Sequence, residues 1–100
     1  MVLIREVFFC KPGKVRPMVD KFKAMNAVME KAGFGKARIM TDLSAERYWT
    51  VVSEWEAKSL ADFEAMMTGT AMQGKEFEDV MKDYHALVES GRREIYTIEA

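Results

Sequence analysis

One carboxylate in this sequence has surroundings that suit proton transfer. Glu6 occupies the middle of an apolar run, with Ile4 and Phe8 two positions away on either side. A carboxylate held without a partner among apolar side chains keeps its proton more readily and can act as a general base near neutral pH. The alternative is an ion pair with a Lys or Arg of the neighbouring strand or of the first helix. The sequence leaves both interpretations open.

The second candidate for proton transfer is His85, the single histidine of the chain. It follows Tyr84 and lies one helical turn after Met81, at the edge of an apolar stripe. Its imidazole could carry protons at the mouth of a pocket, or it could be a partly exposed structural residue. One histidine with no nearby cysteine and no cluster of carboxylates is too little for a zinc site, so no metal is predicted.

Several large apolar side chains could line a flat pocket for an aromatic ligand. The predicted substrate-binding residues are Phe8, Trp49, Trp55, Met66, Met67 and Tyr84. Nine methionines in the chain would make such a lining adaptable. The alternative is that these residues fill the core between a sheet and its helices. Trp55, at the end of a predicted strand, is the best candidate for contact with a ligand.

Composition limits the remaining classes of function. One hundred residues make a single domain, residues 1–100, and the net charge of -1 argues against non-specific nucleic-acid binding. Cys10 is the only cysteine, so it cannot form an internal disulfide; we interpret it as structural and take the cytoplasm as the default location. No apolar run approaches the roughly 18 residues of a membrane span. No nucleotide-binding glycine motif or metallohydrolase motif is present, and no cofactor is predicted.

Charge is distributed unevenly along the chain. Residues 1–40 are strongly basic and residues 41–100 strongly acidic. This separation favours docking of the two halves on each other; a basic patch for acidic ligands is the alternative.

Periodicity predicts six segments in the order β-α-β-β-α-β. Pro12-Gly13 ends the first strand and leads into a helix in which Pro17 must occupy the first turn. Gly33 ends that helix. After the third strand, Ser59 caps a helix that breaks near Gly69, and a further helix follows with an apolar side reaching Val88, ended by Gly91. The predicted strands are 2–10, 36–41, 47–55 and 93–98, and the first helix is 14–32.

That order is the ferredoxin-like α+β unit, a four-stranded antiparallel sheet with helices on one face. Alternation along strand one places Ile4, Glu6, Phe8 and Cys10 on one face and Leu3, Arg5, Val7 and Phe9 on the other. The second face is too apolar to meet water, and no further segment covers it. A second copy would cover it, so we predict a homodimer through the sheet face. Arg5 and Glu54 are expected to pair across neighbouring strands on that face.

Two segments carry a resemblance to a known superfamily. The corner KPGKVRPMVDKF is similar to the strand-to-helix opening of NIPSNAP-like proteins. The segment VVSEWEAKSLADFEAMM resembles antibiotic-biosynthesis-monooxygenase-like and haem-degrading members of the dimeric α/β-barrel superfamily. The resemblance implies a shared barrel of two ferredoxin-like subunits, with the ligand pocket between each sheet and its own helices.

The same resemblance argues against haem degradation. It aligns the pocket Asn of the haem-degrading members with about Glu6, their pocket Trp with Trp55, and their iron-binding His with Gly74 or Lys75. Two of these three positions depart from the pattern, and the iron position offers no ligand.

Two functions therefore stay open. The first is a cofactor-independent monooxygenase or isomerase-like enzyme, in which Glu6 or His85 removes a proton from an apolar aromatic substrate whose carbanion supplies the electrons. The second is a non-catalytic dimeric module that binds a small apolar ligand or another protein. A Glu6 already paired to a basic residue, and a core filled around Trp49 and Trp55, would favour the second.

Overall fold

A computed structural model describes all residues of the chain, 1–100. The chain forms four strands and four helices, with one 3₁₀ turn before the last strand. They are β1 Val2–Cys10, α1 Val15–Lys31, β2 Arg38–Thr41, β3 Thr50–Ala57, α2 Leu60–Thr68, α3 Thr70–Gln73, α4 Lys75–Val80, the 3₁₀ turn Tyr84–Ala86 and β4 Val88–Thr97. No helix is both long enough and apolar enough to cross a membrane.

The strands form one antiparallel sheet in the order β2-β3-β1-β4. This is the ferredoxin-like arrangement, and it confirms the predicted fold class. The helices lie on one face only, so the molecule is a slab of 36 × 35 × 18 Å. We call the covered side the helix face and the other side the open face.

The corner between β1 and α1 forms as the sequence predicts. Gly13 has a φ of 78°, a left-handed conformation that glycine adopts without strain, and Pro17 lies in the first turn of α1. At the other end, the N–H of Gly33 donates to the Glu30 carbonyl and the N–H of Phe34 to that of Met29. These are the two bonds of a Schellman cap, with Gly33 at the required positive φ of 94°.

The core lies between α1, α2 and the helix face, in two clusters. One contains Cys10, Met18, Val19, Phe22 and Val51. The other contains Ile4, Met29, Phe63 and Met66. Ile4, Phe8 and Cys10 therefore face the helices, which confirms the predicted alternation along β1.

Between the two clusters a polar row crosses the helix face. Glu6 pairs in register with Ser53 of β3 and with Arg93 of β4. Ser53 is fully buried and its hydroxyl has no hydrogen-bond partner. This polar row divides the apolar part of the helix face into two regions, one at each end of the strands, and cavities can form in either region.

The predicted second half needs correction. The further helix does not reach Val88: Gly74 divides it, α4 ends at Val80, and Asp83 takes a left-handed φ of 62° before the 3₁₀ turn. Val88 and Gly91 belong to β4, which begins five residues earlier than predicted. The prediction of Gly91 as a stop was wrong because this glycine is required inside the strand, where a Cβ would lie 2.9 Å from the Val7 carbonyl oxygen.

The middle strands are also displaced from their predicted bounds. β2 is shorter, residues 38–41, and β3 begins at Thr50 instead of residue 47. Trp49 precedes β3 with a φ of 63°, a conformation that costs energy for a bulky side chain and interrupts the alternation. Trp49 lies beside Gly13, Val15 and Arg16, at the start of α1.

Candidate functional site

An apolar cavity lies between the C-terminal end of α1, the end of β3 and α2. It has a volume of about 660 Å³, and ten of its seventeen lining residues are apolar. That volume falls within the range of small-molecule sites, which are usually apolar clefts with a few polar groups. We call it the Trp55 cavity; its apolar lining is Met25, Met29, Phe34, Ala37, Trp55, Ala57, Phe63, Ala65, Met66 and Met72.

Trp55 supplies both the aromatic wall and an unused donor. Its ring centroid lies 6.1 Å from that of Phe63, at a tilt of 48°. The indole Nε1–H is buried and has no hydrogen-bond partner. A buried donor without a partner costs free energy, on the order of 1–3 kcal/mol.

The loop that closes one side of the Trp55 cavity is held by an amide. The Asn26 side chain donates to the Ala37 carbonyl at 2.9 Å and accepts from the Ala37 N–H at 3.1 Å. This pair of bonds fixes residues 33–37 against α1. The cavity also meets charges of both signs, at Lys36, Lys58, Glu56 and Asp62. It therefore has an apolar lining with polar groups of mixed sign.

A second cleft, of about 600 Å³, lies at the other end of the helix face beside β4 and the 3₁₀ turn. It brings together Glu6, Phe8, Tyr84 and His85, four of the predicted site residues. The Tyr84 and His85 rings lie 4.0 Å apart between centroids, and Phe8 meets Tyr84 edge to face at 6.3 Å. The two candidate proton-transfer groups thus share one cleft, away from the Trp55 cavity.

Glu6 is already engaged in the second cleft. Its carboxylate accepts a hydrogen bond from the Arg93 guanidinium on the neighbouring strand. Arg93 also lies over the Phe63 ring, with its Cζ atom 5.1 Å from the centroid. The ion pair foreseen as the alternative for Glu6 is present, and through Phe63 it borders the Trp55 cavity.

The predicted binding residues are divided among three places. Trp55 and Met66 line the Trp55 cavity, whereas Phe8 and Tyr84 line the second cleft. Trp49 lines a third depression, near Tyr48 and Arg16. Met67 packs at the edge of the cluster around Ile4 and lines none of the three.

Sequence reasoning overlooked residues that complete the Trp55 cavity. Met25, Met29 and Phe63 show the helical spacing of ordinary core positions, so their types gave no separate signal. Asn26 offered one: it is a polar residue beside the apolar stripe of α1, near the helix end, where a side-chain amide can hold a returning loop.

The open face is more polar than strand one alone predicted. Arg38, Glu54, Arg5 and Glu94 stand in register in one row across all four strands. Arg5 contacts Glu54 at 2.9 Å and Glu94 at 3.6 Å, and Arg38 contacts Glu54 at 2.5 Å. The expected pair of Arg5 and Glu54 is present, within a row of alternating sign.

Arginines also cover apolar rings on that face. The guanidiniums of Arg47 and Arg92 lie 4.4 Å and 5.5 Å from the centroid of Phe9, which is buried within the single chain. The premise of a bare apolar face therefore needs correction, because long charged side chains shield part of it. Met40 and Tyr96 stay exposed there.

Hydrogen bonds and ion pairs lower the pKa of both acids in the charged row on the open face. Burial on its own would raise the pKa of the Glu54 carboxyl, but hydrogen bonds from Arg38 and Arg5, together with their charges, hold that pKa below its usual value. A hydrogen bond from the Tyr96 hydroxyl, followed by one from Arg92, lowers the pKa of Glu94. Cys10 lies in the core, where burial raises the pKa of its thiol, which agrees with a structural role.

Fold and cavity together define a ferredoxin-like α+β domain with a cleft between the sheet and its helices. No family model and no curated protein matches the chain in sequence. Several solved structures share its fold. A NIPSNAP domain protein from Burkholderia xenovorans has a TM-score of 0.80 at 13% identity, covering 100% of this chain and 96% of its own.

Two further structures show the same fold. A NIPSNAP family protein from Agrobacterium tumefaciens has a TM-score of 0.77 at 14% identity, covering 96% of this chain and 90% of its own. An antibiotic-biosynthesis-monooxygenase-like protein from Nitrosomonas europaea has a TM-score of 0.71 at 14% identity, covering 100% of both chains. The resemblance stated from the sequence is thus confirmed at the level of the fold.

Proposed function

We propose that the chain binds a small, flat, mainly apolar molecule in the Trp55 cavity. The observation that carries this is an apolar cavity of about 660 Å³ lined by Trp55, whose buried indole N–H has no hydrogen-bond partner. Aromatic rings at Trp55 and Phe63 favour a ligand with a π-face, and the free N–H favours a hydroxyl or carbonyl oxygen on it. The methionines around the rings can adjust to its outline.

The chain offers a matched pair of variants for a binding test. 2-Naphthol is a suitable probe, because it is flat, carries one hydroxyl and fluoresces by itself. We expect Trp55→Ala to weaken binding of 2-naphthol by about tenfold or more, since the aromatic wall and the donor are lost together. Trp49→Ala removes the other tryptophan, which does not line this cavity, and should change the dissociation constant less than about twofold.

Fluorescence anisotropy of 2-naphthol measures both constants. Trp55→Phe separates the two contributions, because it keeps a ring and removes the N–H. Equal binding by the wild type and Trp55→Ala, or a loss confined to Trp49→Ala, would place the ligand elsewhere.

A second candidate function is cofactor-independent oxygenation in the second cleft. Glu6 and His85 face the same space there, beside Tyr84 and Phe8. One of the two would take a proton from an activated CH₂ group, and the carbanion would pass its electrons to O₂. One oxygen atom would end as the product carbonyl and the other would leave as water with both hydrogens. The similarity of the fold to a monooxygenase-like protein supports this candidate.

Oxygen consumption with hydroxylated aromatic substrates that carry an activated CH₂ group tests the enzymatic candidate. If the carboxylate is the base, Glu6→Gln should lower turnover by about 100-fold. If the imidazole is the base, His85→Gln should lower turnover by the same factor. Turnover that neither change reduces, or no oxygen consumption by the wild type, would exclude it. The pairing of Glu6 with Arg93 favours the binding function over this one.

We further propose that the chain acts as a homodimer through the open face, in the cytoplasm. The slab is only 18 Å thick, and no helix covers the open face, where Met40 and Tyr96 meet water. A second copy packed sheet to sheet would cover those side chains. The single buried Cys10, with no disulfide, suits a reducing compartment.

A further inference from the structure

The row of charges on the open face has a simple symmetry. Read from β2 to β4, Arg38, Glu54, Arg5 and Glu94 give the signs plus, minus, plus, minus. All four side chains lie on the open face, and each contacts its neighbour in the row. When such a row is reversed, each position carries the charge opposite to the one it carried before.

Two orientations of a facing copy have opposite electrostatic consequences. A two-fold axis between the sheets and parallel to the strands reverses the row, so that Arg38 meets the second copy's Glu94 and Arg5 meets its Glu54. An axis running along the row leaves its order unchanged, and like charges then face each other. Like charges brought together at an interface cost several kcal/mol, whereas complementary ones fix the register.

We infer that this row selects the partner and the orientation of the homodimer: a second copy of the chain, facing it about an axis parallel to the strands and passing between β1 and β3. The inference rests on the homodimer proposed above. Charge complementarity thus favours one arrangement.

The row can be inverted without losing its internal pairs. The fourfold variant Arg38→Glu, Glu54→Arg, Arg5→Glu and Glu94→Arg reads minus, plus, minus, plus. It keeps opposite charges at every neighbouring position and is again complementary to its own reverse. Against the wild type, however, it presents a like charge at all four positions. The variant should form dimers with itself and reject the wild-type chain.

Subunit mixing gives the decisive measurement. Wild type and fourfold variant, made with different masses, are unfolded together, refolded at equal concentration and counted by native mass spectrometry. Random pairing gives about half heterodimers, and we expect fewer than about one tenth, because a penalty of about 1.4 kcal/mol already shifts the ratio tenfold. About half heterodimers would show that the row does not meet its copy. An excess of heterodimers would show the other axis. Either result overturns the inference.

A smaller change guards against a variant that fails to fold. Arg38→Gln with Glu94→Gln removes the two outer charges and keeps the central pair of Arg5 and Glu54. Because two of the four complementary contacts between the copies are lost, the dissociation constant of its dimer should rise about tenfold or more, and an unchanged constant would overturn the role of the row. Sedimentation of the wild type at low micromolar concentration tests separately whether the homodimer forms at all. A folded monomer would remove the homodimer itself, whereas dimers with random mixing would remove only the role of the row.

Discussion

Gly91→Ala is expected to lower the free energy of unfolding by about 2 kcal/mol, which is about 10 °C in melting temperature for a domain of this size. The Cβ of an alanine would lie 2.9 Å from the Val7 carbonyl oxygen and 3.3 Å from the Phe8 ring. The oxygen belongs to the backbone of a central strand, so it cannot rotate away as a flexible side chain could. β4 must shift where it pairs with β1. Thermal unfolding followed by circular dichroism measures the effect.

Gly35→Ala is the matched control for that prediction. A Cβ at Gly35 meets nothing within 4 Å. Its replacement should change stability by less than about 0.5 kcal/mol. Equal stability of the two variants would mean that β4 does not approach Val7 as closely as described.

The second large effect concerns Glu54, the acid that joins two arginines on the open face. Glu54→Gln should lower the free energy of unfolding at pH 7 by about 1–2 kcal/mol. The estimate is below that for a fully buried pair, because Arg5 and especially Arg38 are exposed enough to regain water. Glu56→Gln is the control, since Glu56 lies two positions along the same face, exposed and without an ion pair.

The same acid makes stability depend on pH in a defined direction. The pKa of Glu54 is lower in the folded chain than its ordinary value, so the carboxylate stabilises the fold above the unfolded pKa of about 4.3. That contribution disappears as the pH falls through the folded pKa, below this value. Urea unfolding measured from pH 6 to pH 3 should therefore show that the free energy of unfolding falls more steeply for the wild type than for Glu54→Gln. Parallel curves would contradict the ion pairs of the row.

The first half of the fold could be predicted because local signals agree there. Periodicity, Pro12-Gly13 and the Gly33 cap all indicate the same boundaries, and β1 and α1 lie where the sequence places them. After Gly69 the signals conflict. Helical spacing continues through Tyr84 to Val88, yet the sheet needs residues 88–97 to pair with β1. Pairing with a central strand outweighs a weak helical pattern, and no local feature announces it.

The site was predicted only in part, for a related reason. The sequence predicts Trp55 and Met66 as ligand-binding residues, and both line the Trp55 cavity. Trp49, Phe8 and Tyr84, predicted with them, lie elsewhere. The polar row through Glu6 separates the Trp55 cavity from the other two places, and that row depends on pairing between strands distant in sequence. The pairing of Glu6 with Arg93 depends likewise on the register of β1 and β4, which composition does not reveal.

Ligand binding in the Trp55 cavity is tested most directly by one spectrum. The two tryptophans give two indole N–H signals in a ¹⁵N–¹H correlation spectrum, and single Trp→Phe variants assign them. During titration with 2-naphthol, we predict that the Trp55 signal moves downfield as its N–H gains an acceptor, while the Trp49 signal stays in place. An unmoved Trp55 signal at saturation, with shifts confined to Trp49 or to Tyr84 and His85, would contradict the account.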